Sequence, residues 1–162
     1  MKLLALDLST TCTGWAVGES ESLRPKTYGH IKPKAQLFRP SRIEQTVAEV
    51  MNIARMESVE KVVAEDINAG QGGTSSFQTA LALAELRGAL QLDLWRWRGL
   101  TLELANLSTI KSKLAVARQL QMKGTPKKEH VRQLLRRLNY HPENDDESDA
   151  IAVWLYARGW MC

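Results

Sequence analysis

The chain has 162 residues, a formal net charge of +4 and two cysteines, Cys12 and Cys162. This length predicts one domain over residues 1–162 with a single buried core, and it argues against enzymes built from two substantial lobes. Two distant cysteines do not suggest a disulfide framework or a zinc site, and no apolar run approaches membrane-spanning length, so we expect a soluble cytoplasmic protein.

The first third of the chain has the pattern of three strands followed by a helix. Residues 3–8 form a short apolar run typical of a central strand, and residues 14–17 and 28–31 favour two further strands after polar turns. Ser41 and Glu44 fit a capping box. The apolar residues that follow recur at helical spacing, which predicts a helix over about 41–56.

A fourth strand is predicted over residues 59–64, ended by Glu65 and Asp66 and followed by a glycine-rich loop. The next helix, over about 75–94, carries two apolar stripes on nearly opposite sides. Two alternatives follow: a second subunit covers one stripe, or the helix is sandwiched inside its own domain. One stripe consists of Phe77, Leu81, Ala84 and Gly88, and the other of Leu83, Leu86 and Leu90.

The remaining chain predicts one more strand and three helices. Residues 101–105 favour a fifth strand, and Ser108 suits the cap of a helix that ends near residue 122. Gly124 and Pro126 separate this helix from another that ends near residue 138. A final helix begins near Asp145. Strands early and in mid-chain that alternate with helices predict a mixed α/β domain.

Acidic residues end two of the buried strands and begin the last helix. Asp7 and Glu65 each end a strand, where an unpaired carboxylate is costly to desolvate, and they would meet if the two strands are parallel neighbours. Asp146 and Asp149 are three residues apart and share one helix face. Acids in a first helical turn are common for stability alone, but that does not explain Asp7 and Glu65. Four converging carboxylates predict a divalent metal site.

A basic segment precedes the last acidic island. Nine Lys or Arg residues and one acid lie between residues 111 and 137. Such a segment predicts a surface that contacts nucleic-acid phosphates with little base readout, although a solvated helix face is the alternative explanation. A metal site beside a polyanion surface predicts a nuclease. The candidate DNA contacts here are Lys111, Lys113, Arg118, Lys123, Lys127, Lys128 and Arg132.

Several motifs follow one another in a definite order through nearly the whole chain. They are Leu6-Asp7-Leu8-Ser9-Thr10, Gly14-Trp15-Ala16-Val17, the strand that ends in Glu65, Arg87-Gly88, Ile110-Lys111, Lys128 three residues before Val131, and Asp146-x-x-Asp149-Ala150. Together they resemble the RuvC family of Holliday-junction resolvases, which has a ribonuclease H-like fold. The order and spacing of the acids, together with the basic segment, carry this resemblance.

The resemblance implies an α/β domain with a mixed five-stranded sheet flanked by helices, and a homodimer formed through the helix after the fourth strand. The dimer contacts would be the stripe that begins at Phe77. Lys111 and Lys128 would approach the scissile phosphate. The catalytic, metal-binding acids would be Asp7, Glu65, Asp146 and Asp149.

The implied activity is that of a crossover junction endodeoxyribonuclease. Its partner would be branched DNA, especially four-way junctions, which it would nick symmetrically by in-line attack of a metal-activated water on the phosphodiester. Mg²⁺ would be the cofactor, with Mn²⁺ able to substitute and two ions in each active site. Short chains of this kind are similar to phage-encoded resolvases, so the compartment would be the cytoplasm of a bacterium or of a phage-infected host.

The sequence departs from the familiar family pattern at two places. Familiar members often have Asp-Pro-Gly after the first strand, whereas this chain has Asp7-Leu8-Ser9. Some members carry an aromatic residue just after the catalytic Glu that probes the junction centre. Here Asn68 occupies that place and Phe77 is the nearest aromatic candidate, so both are candidate DNA contacts.

Two other functions are compatible with parts of the sequence. Residues 7–11 followed by Gly14 also resemble the phosphate-binding hairpin of actin and sugar-kinase phosphotransferases, although the chain is short for that class. A non-catalytic junction-binding module would retain the basic segment. Asp66 could replace Glu65 as a ligand, but alternate facing along a strand allows only one of them. The histidines, His30, His130 and His141, lack metal-ligand spacing and are expected at surface or helix-cap positions.

Overall fold

The computed structural model describes residues 1–66, 77–106, 109–110 and 127–159. The strands in these residues are β1 (Lys2–Asp7), β2 (Thr13–Glu19), β3 (Thr27–Ile31), β4 (Lys61–Asp66) and β5 (Leu102–Asn106). The helices are α1 (Arg39–Met56), α2 (Phe77–Arg98), α3 (Lys127–Arg137) and α4 (Asp145–Ala157). None of these described helices is long and apolar enough to cross a membrane. The predicted glycine-rich loop, the Ser108 cap and the break at Gly124 and Pro126 lie outside the described residues.

The five strands form one mixed sheet in the order β3-β2-β1-β4-β5. β1 is antiparallel to β2 and parallel to β4, while β3 and β5 extend the sheet on the two sides. The predicted mixed five-stranded sheet is therefore confirmed. The parallel pairing of β1 with β4 is also the arrangement in which Asp7 and Glu65 end neighbouring strands.

Several predicted element boundaries are wrong, and α2, for example, ends at Arg98 and not near residue 94. Helix α1 begins at Arg39, two residues before the predicted start, and its N-cap residue Phe38 makes no side-chain capping hydrogen bond. Pro40 occupies the first turn, where a residue without an N–H costs nothing, so the Ser41 capping box is not used. Strand β4 extends through Glu65 and Asp66, because both residues still pair with β5.

Helices cover both faces of the sheet, and alternate strand residues face the two layers. On β1, Leu3 and Ala5 pack in the core that includes α3 and α4, whereas Leu4 and Leu6 pack in the core that includes α1 and α2. All four side chains are fully buried, and each leucine contributes about 1.5–3 kcal/mol relative to an exposed position. The near-continuous apolar run of β1 thus reflects a strand covered on both sides.

The two stripes of α2 have different environments. Leu83, Leu86 and Leu90 are buried, and the last two belong to the core that also includes α1 and the sheet. The opposite stripe is exposed: Phe77 is 78% exposed and Leu81 is 37% exposed. The alternative in which the domain sandwiches this helix on both sides is therefore wrong for the part of the chain that the structure describes. The exposed stripe on α2 consists of Phe77, Leu81, Ala84 and Gly88, continued at helical spacing by Leu92 and Trp95.

Gly14 on β2 allows the start of α4 to lie directly on the sheet. A Cβ atom built at Gly14 would overlap the backbone carbonyl group of Asp146 and would lie 3.0 Å from the backbone nitrogen of Glu147. Any side chain at this position would push the helix away from the strand. The residue type at position 14 therefore sets the distance between α4 and β2.

The variant Gly14→Ala should lower the free energy of unfolding by about 1–3 kcal/mol, because the methyl group meets backbone atoms that cannot rotate away. The matched control is Gly29→Ala on β3, where the new Cβ would lie 3.0 Å from the movable ring of Trp15. That control should change stability by less than about 1 kcal/mol. Urea unfolding of both variants measures the difference, and equal effects at the two positions would contradict the docking described for Gly14.

Candidate active site

Asp7 and Glu65 end neighbouring strands and face the same layer. The parallel register pairs Leu6 with Ala64, which places Asp7 and Glu65 side by side at the next position. By strand alternation, Asp7 faces the same layer as Ala5, and Glu65 the same layer as Val63. Ala5 and Val63 both belong to the core that includes α4. The two carboxylates therefore lie at the strand ends beneath the final helix.

Asp66 has a different role from Glu65. Its carboxylate accepts a hydrogen bond of 3.1 Å from the guanidinium of Arg87 on α2, on the opposite face of the sheet. Arg87 also donates to the backbone carbonyl oxygen of Glu65 over 2.9 Å. Glu65 itself is only 5% exposed and faces α4. Of the two adjacent acids, the geometry favours Glu65 for the site, as the alternation of strand residues predicted.

The start of helix α4 carries two further acids, Asp146 and Asp149, above these strand ends. Asn144 caps the helix by accepting a hydrogen bond of 2.9 Å from the backbone N–H of Glu147. Asp146 follows in the first turn, with its backbone against Gly14, and Gly14 is the register partner of Asp7. Asp149 is three residues further on, so it shares a helix face with Asp146. The cap and the glycine contact together place the first turn of α4 beside Asp7.

Cys12 lies in the turn between β1 and β2, and the pKa of its thiol depends on the acids of this region. Burial, a hydrogen bond to the Asp146 carboxylate and the charge of Asp146 raise the pKa of the Cys12 thiol from 9.0 to about 12. The charge of Asp7 also raises this pKa, whereas Lys32 lowers it. Acids from both β1 and α4 therefore raise the pKa of this one thiol. At neutral pH it is an uncharged donor and not a nucleophile.

A second polar group lies beside the four acids. The ligand atoms of His30, Glu143 and Glu147 all lie within 4.8 Å of one another. His30 Nδ1 is 2.8 Å from a carboxylate oxygen of Glu147. His30 lies on the surface, as predicted, but the sequence did not predict its contact with Glu147. Its partners are more than a hundred residues away in sequence, so no local spacing could reveal them.

The four predicted acids do not form an equally tight group among residues 1–66, 77–106, 109–110 and 127–159. Asp7, Glu65 and Asp149 each make interactions within the fold. The register and the Gly14 contact place these acids in one region, and their role as metal ligands stays a prediction.

The predicted DNA contacts are distributed over described and undescribed parts of the chain. Arg132 on α3 forms an ion pair of 2.7 Å with Asp145, the first residue of α4. Phe77 is exposed at the start of α2. Lys127 and Lys128 are the first residues of α3, and their side chains are outside the described part. The positions that lie wholly outside the described residues are Asn68, Lys111, Lys113, Arg118 and Lys123.

Alkylation of Cys12 tests the charge of the site in the absence of metal. In a Cys162→Ser background with chelator, a pKa of about 12 predicts that the rate with iodoacetamide keeps rising about tenfold per pH unit past pH 10. Adding Asp146→Asn should speed the reaction, because the carboxylate that holds the thiol proton is gone. A plateau near pH 9, with or without Asp146, would contradict this arrangement.

Comparison with known proteins identifies the family. The family model described as crossover junction endodeoxyribonuclease RuvC matches residues 3–156. A protein of that name from Syntrophomonas wolfei is 28% identical over 158 residues, covering 94% of this chain and 86% of its own length.

Two solved structures share the fold of the chain. Thermus thermophilus RuvC in complex with a Holliday junction substrate has a TM-score of 0.71 and 19% identity, and the match covers 98% of this chain and 96% of that one. The yeast mitochondrial Holliday junction resolvase Ydc2 has a TM-score of 0.67 and 14% identity, with coverages of 98% and 77%. The family match supports the nuclease and not the phosphotransferase. The chain belongs to the RuvC family of crossover junction endodeoxyribonucleases.

Proposed function

We propose that this endonuclease resolves four-way DNA junctions by nicking two strands symmetrically, with Asp7, Glu65, Asp146 and Asp149 as the acids of a metal-dependent active site. The observation that most directly supports the proposal is that three chain segments meet at one end of the sheet, where the strands terminate. β1 and β4 end there as parallel neighbours, and the first turn of α4 lies against Gly14 beside them. A RuvC-family match over residues 3–156 supports the reaction class.

The donor set of these residues fits Mg²⁺ or Mn²⁺. Carboxylate oxygens are the ligands that such hard divalent cations prefer in proteins. Asp7 and Glu65 face the same layer, and Asp146 and Asp149 lie on one helix face above it. Thiolates are ligands of softer metals, and the Cys12 thiol is already hydrogen-bonded to the Asp146 carboxylate. The residues present therefore suit a hard cation better than zinc or copper.

Each protein group has a separate task in the proposed reaction. The four acids hold the metal and fix where the phosphodiester lies. Bound divalent cations supply charge that offsets the transition state and lower the pKa of water so that it can attack in line. A lysine ammonium near the non-bridging oxygens would stabilise the charge that develops there. Lys128 is the first candidate for this lysine, and Lys111 is the second.

The position of α3 supports the assignment of Lys128. Arg132 contacts Asp145 at the start of α4, which fixes the middle of α3 beside the acidic first turn. Lys128 lies four residues earlier, one helical turn towards the N-terminus of α3. The basic segment from residue 111 to residue 137 would neutralise several phosphates and make junction binding strongly salt-dependent.

The exposed stripe on α2 is the proposed dimer contact. Symmetric nicking of a four-way junction needs two active sites related by a two-fold axis, which a symmetric dimer supplies. The small residues Ala84 and Gly88 lie at the centre of the stripe. Among the described residues, no atom outside the neighbouring backbone of α2 lies within 4 Å of a Cβ built at Gly88. Two copies of α2 could therefore approach closely at this point. Phe77 and Trp95 would extend the apolar contact at the two ends.

The variant Asp7→Asn should reduce cleavage of a labelled four-way junction in Mg²⁺ by at least about 10²-fold, because a metal-binding charge is lost while the shape is kept. Junction binding in a gel shift without metal should be unchanged. The matched control is Asp93→Asn on α2, a carboxylate that is 42% exposed and 3.8 Å from Arg96. It should cut at the wild-type rate.

Product mapping on four-way, three-way and linear DNA, in Mg²⁺, Mn²⁺ or chelator, completes this test. The proposal predicts paired symmetric nicks in the four-way junction and none with chelator. Cleavage by Asp7→Asn at the wild-type rate would overturn the assignment of the acids. Junction binding by the wild-type protein without any metal-dependent nick would favour a binding module instead.

The variant Leu81→Arg should convert the proposed dimer to a monomer, because each copy would bury an unpaired guanidinium group in the apolar contact. The control is Met56→Arg, which places the same charge at an apolar residue that is 77% exposed at the end of α1. Sedimentation equilibrium of both variants measures the assembly state. A dimer that survives Leu81→Arg would exclude the exposed stripe on α2 as the interface.

A further inference from the structure

Glu147 is a buried carboxylate that the proposed reaction does not use. It is 4% exposed and lies in the first turn of α4, between Asp146 and Asp149 in sequence. Successive helix residues are rotated by about 100°, so Glu147 does not share the face of its two acidic neighbours. A buried carboxylate is costly unless it is hydrogen-bonded, so its partners determine where this turn of helix can lie.

Both oxygens of Glu147 are occupied. One is 2.8 Å from Nδ1 of His30, and the other accepts a hydrogen bond of 2.7 Å from the backbone N–H of Glu143. The second bond is local, four residues back in the same segment. The bond to His30 spans 117 residues and ties the start of α4 to strand β3. It is the long-range contact of this carboxylate.

His30 belongs to the same transverse row of the sheet as the proposed active site. The strand registers pair His30 with Gly14 and Gly14 with Asp7, and Glu65 follows on β4. By strand alternation, His30 faces the same layer as Tyr28, which packs against the core that includes α4. One row of residues across four neighbouring strands therefore lies beneath the first turn of α4.

The first turn of α4 makes two different contacts with this row. The backbone of Asp146 lies on Gly14, which limits how closely the helix approaches. The carboxylate of Glu147 bonds His30 one strand further out. The buried apolar residues of α4 hold the body of the helix in the core, and Arg132 and Cys12 also contact its first turn. The His30–Glu147 bond adds a contact with β3, and it acts on the rotation that decides where Asp146 and Asp149 point.

We propose that His30 and Glu147 are positioning residues that hold α4 in the rotation at which Asp146 and Asp149 face Asp7 and Glu65. This inference rests on the proposed function of the four acids. Their effect is to set the geometry of the metal ligands before the ion binds, through the rotation of the helix that carries Asp146 and Asp149.

Two substitutions at position 30 separate the hydrogen bond from the shape of the ring. His30→Phe keeps a planar ring but removes the donor, and His30→Asn keeps a donor close to the place of Nδ1. Binding of Mn²⁺ to the free protein, followed by electron paramagnetic resonance of the unbound ion, gives a readout that does not depend on activity. We expect about tenfold weaker Mn²⁺ binding for His30→Phe and near wild-type binding for His30→Asn.

Kinetics on the four-way junction supply the second readout. At subsaturating metal, His30→Phe should lower kcat by about tenfold with KM for the junction unchanged, and excess metal should restore much of the loss. The matched control is His141→Ala at an exposed histidine, which should leave Mn²⁺ binding and kcat unchanged. Urea unfolding of each variant corrects for any fraction that is not folded.

Two results would overturn the inference. Wild-type Mn²⁺ affinity in folded His30→Phe would show that the bond does not position the ligands. Equal losses of affinity in His30→Phe and His30→Asn would show that the donor is irrelevant. Either result is distinguishable from failure of the proposed function, because Asp7→Asn would still abolish cleavage if the four acids form the site.

Discussion

The close approach of α4 to β2 at Gly14 is the contact on which the proposed site depends. Asp7 and Glu65 are placed side by side by the parallel pairing of two buried strands. Asp146 and Asp149 join them only because the helix backbone can rest on a strand residue that has no side chain. The absence of a Cβ at Gly14 therefore allows contact between two chain segments that lie more than a hundred residues apart in sequence.

The two faces of the sheet carry different groups of residues. The face under α3 and α4 carries Asp7, Glu65 and the basic helix, so the proposed chemistry and the proposed phosphate contacts belong there. The opposite face carries α1 and α2, and α2 presents the stripe proposed for dimerisation. Arg87 connects the two faces, because it bonds both the carboxylate of Asp66 and the backbone of Glu65. The end of β4 is thus held from the α2 side, while its Glu65 side chain faces the proposed site.

Much of the fold could be predicted from local pattern. The apolar runs of β1 and β4 are long enough and uniform enough to indicate buried strands, and α2 shows both of its stripes in sequence. Once two strands are parallel neighbours, the face on which each strand-end acid lies follows from alternation. The family motifs added the fold type, because their order is specific even though no single motif is.

The sequence could not reveal the contacts that depend on three-dimensional neighbours. The capping box at Ser41 was wrong because Pro40 suits the first turn and the chain enters the helix earlier. His30 was missed because its partner Glu147 is distant in sequence and lies among acids that had another explanation. The choice between a covered and an exposed stripe on α2 depended on what else packs there, which periodicity does not show.

The most direct test of the central claim is to locate the metal itself. Crystals grown with Mn²⁺ and measured at its absorption edge should show anomalous peaks bounded by Asp7, Glu65, Asp146 and Asp149, with His30 still bonded to Glu147. A peak among His30, Glu143 and Glu147, with none between the four acids, would contradict the account.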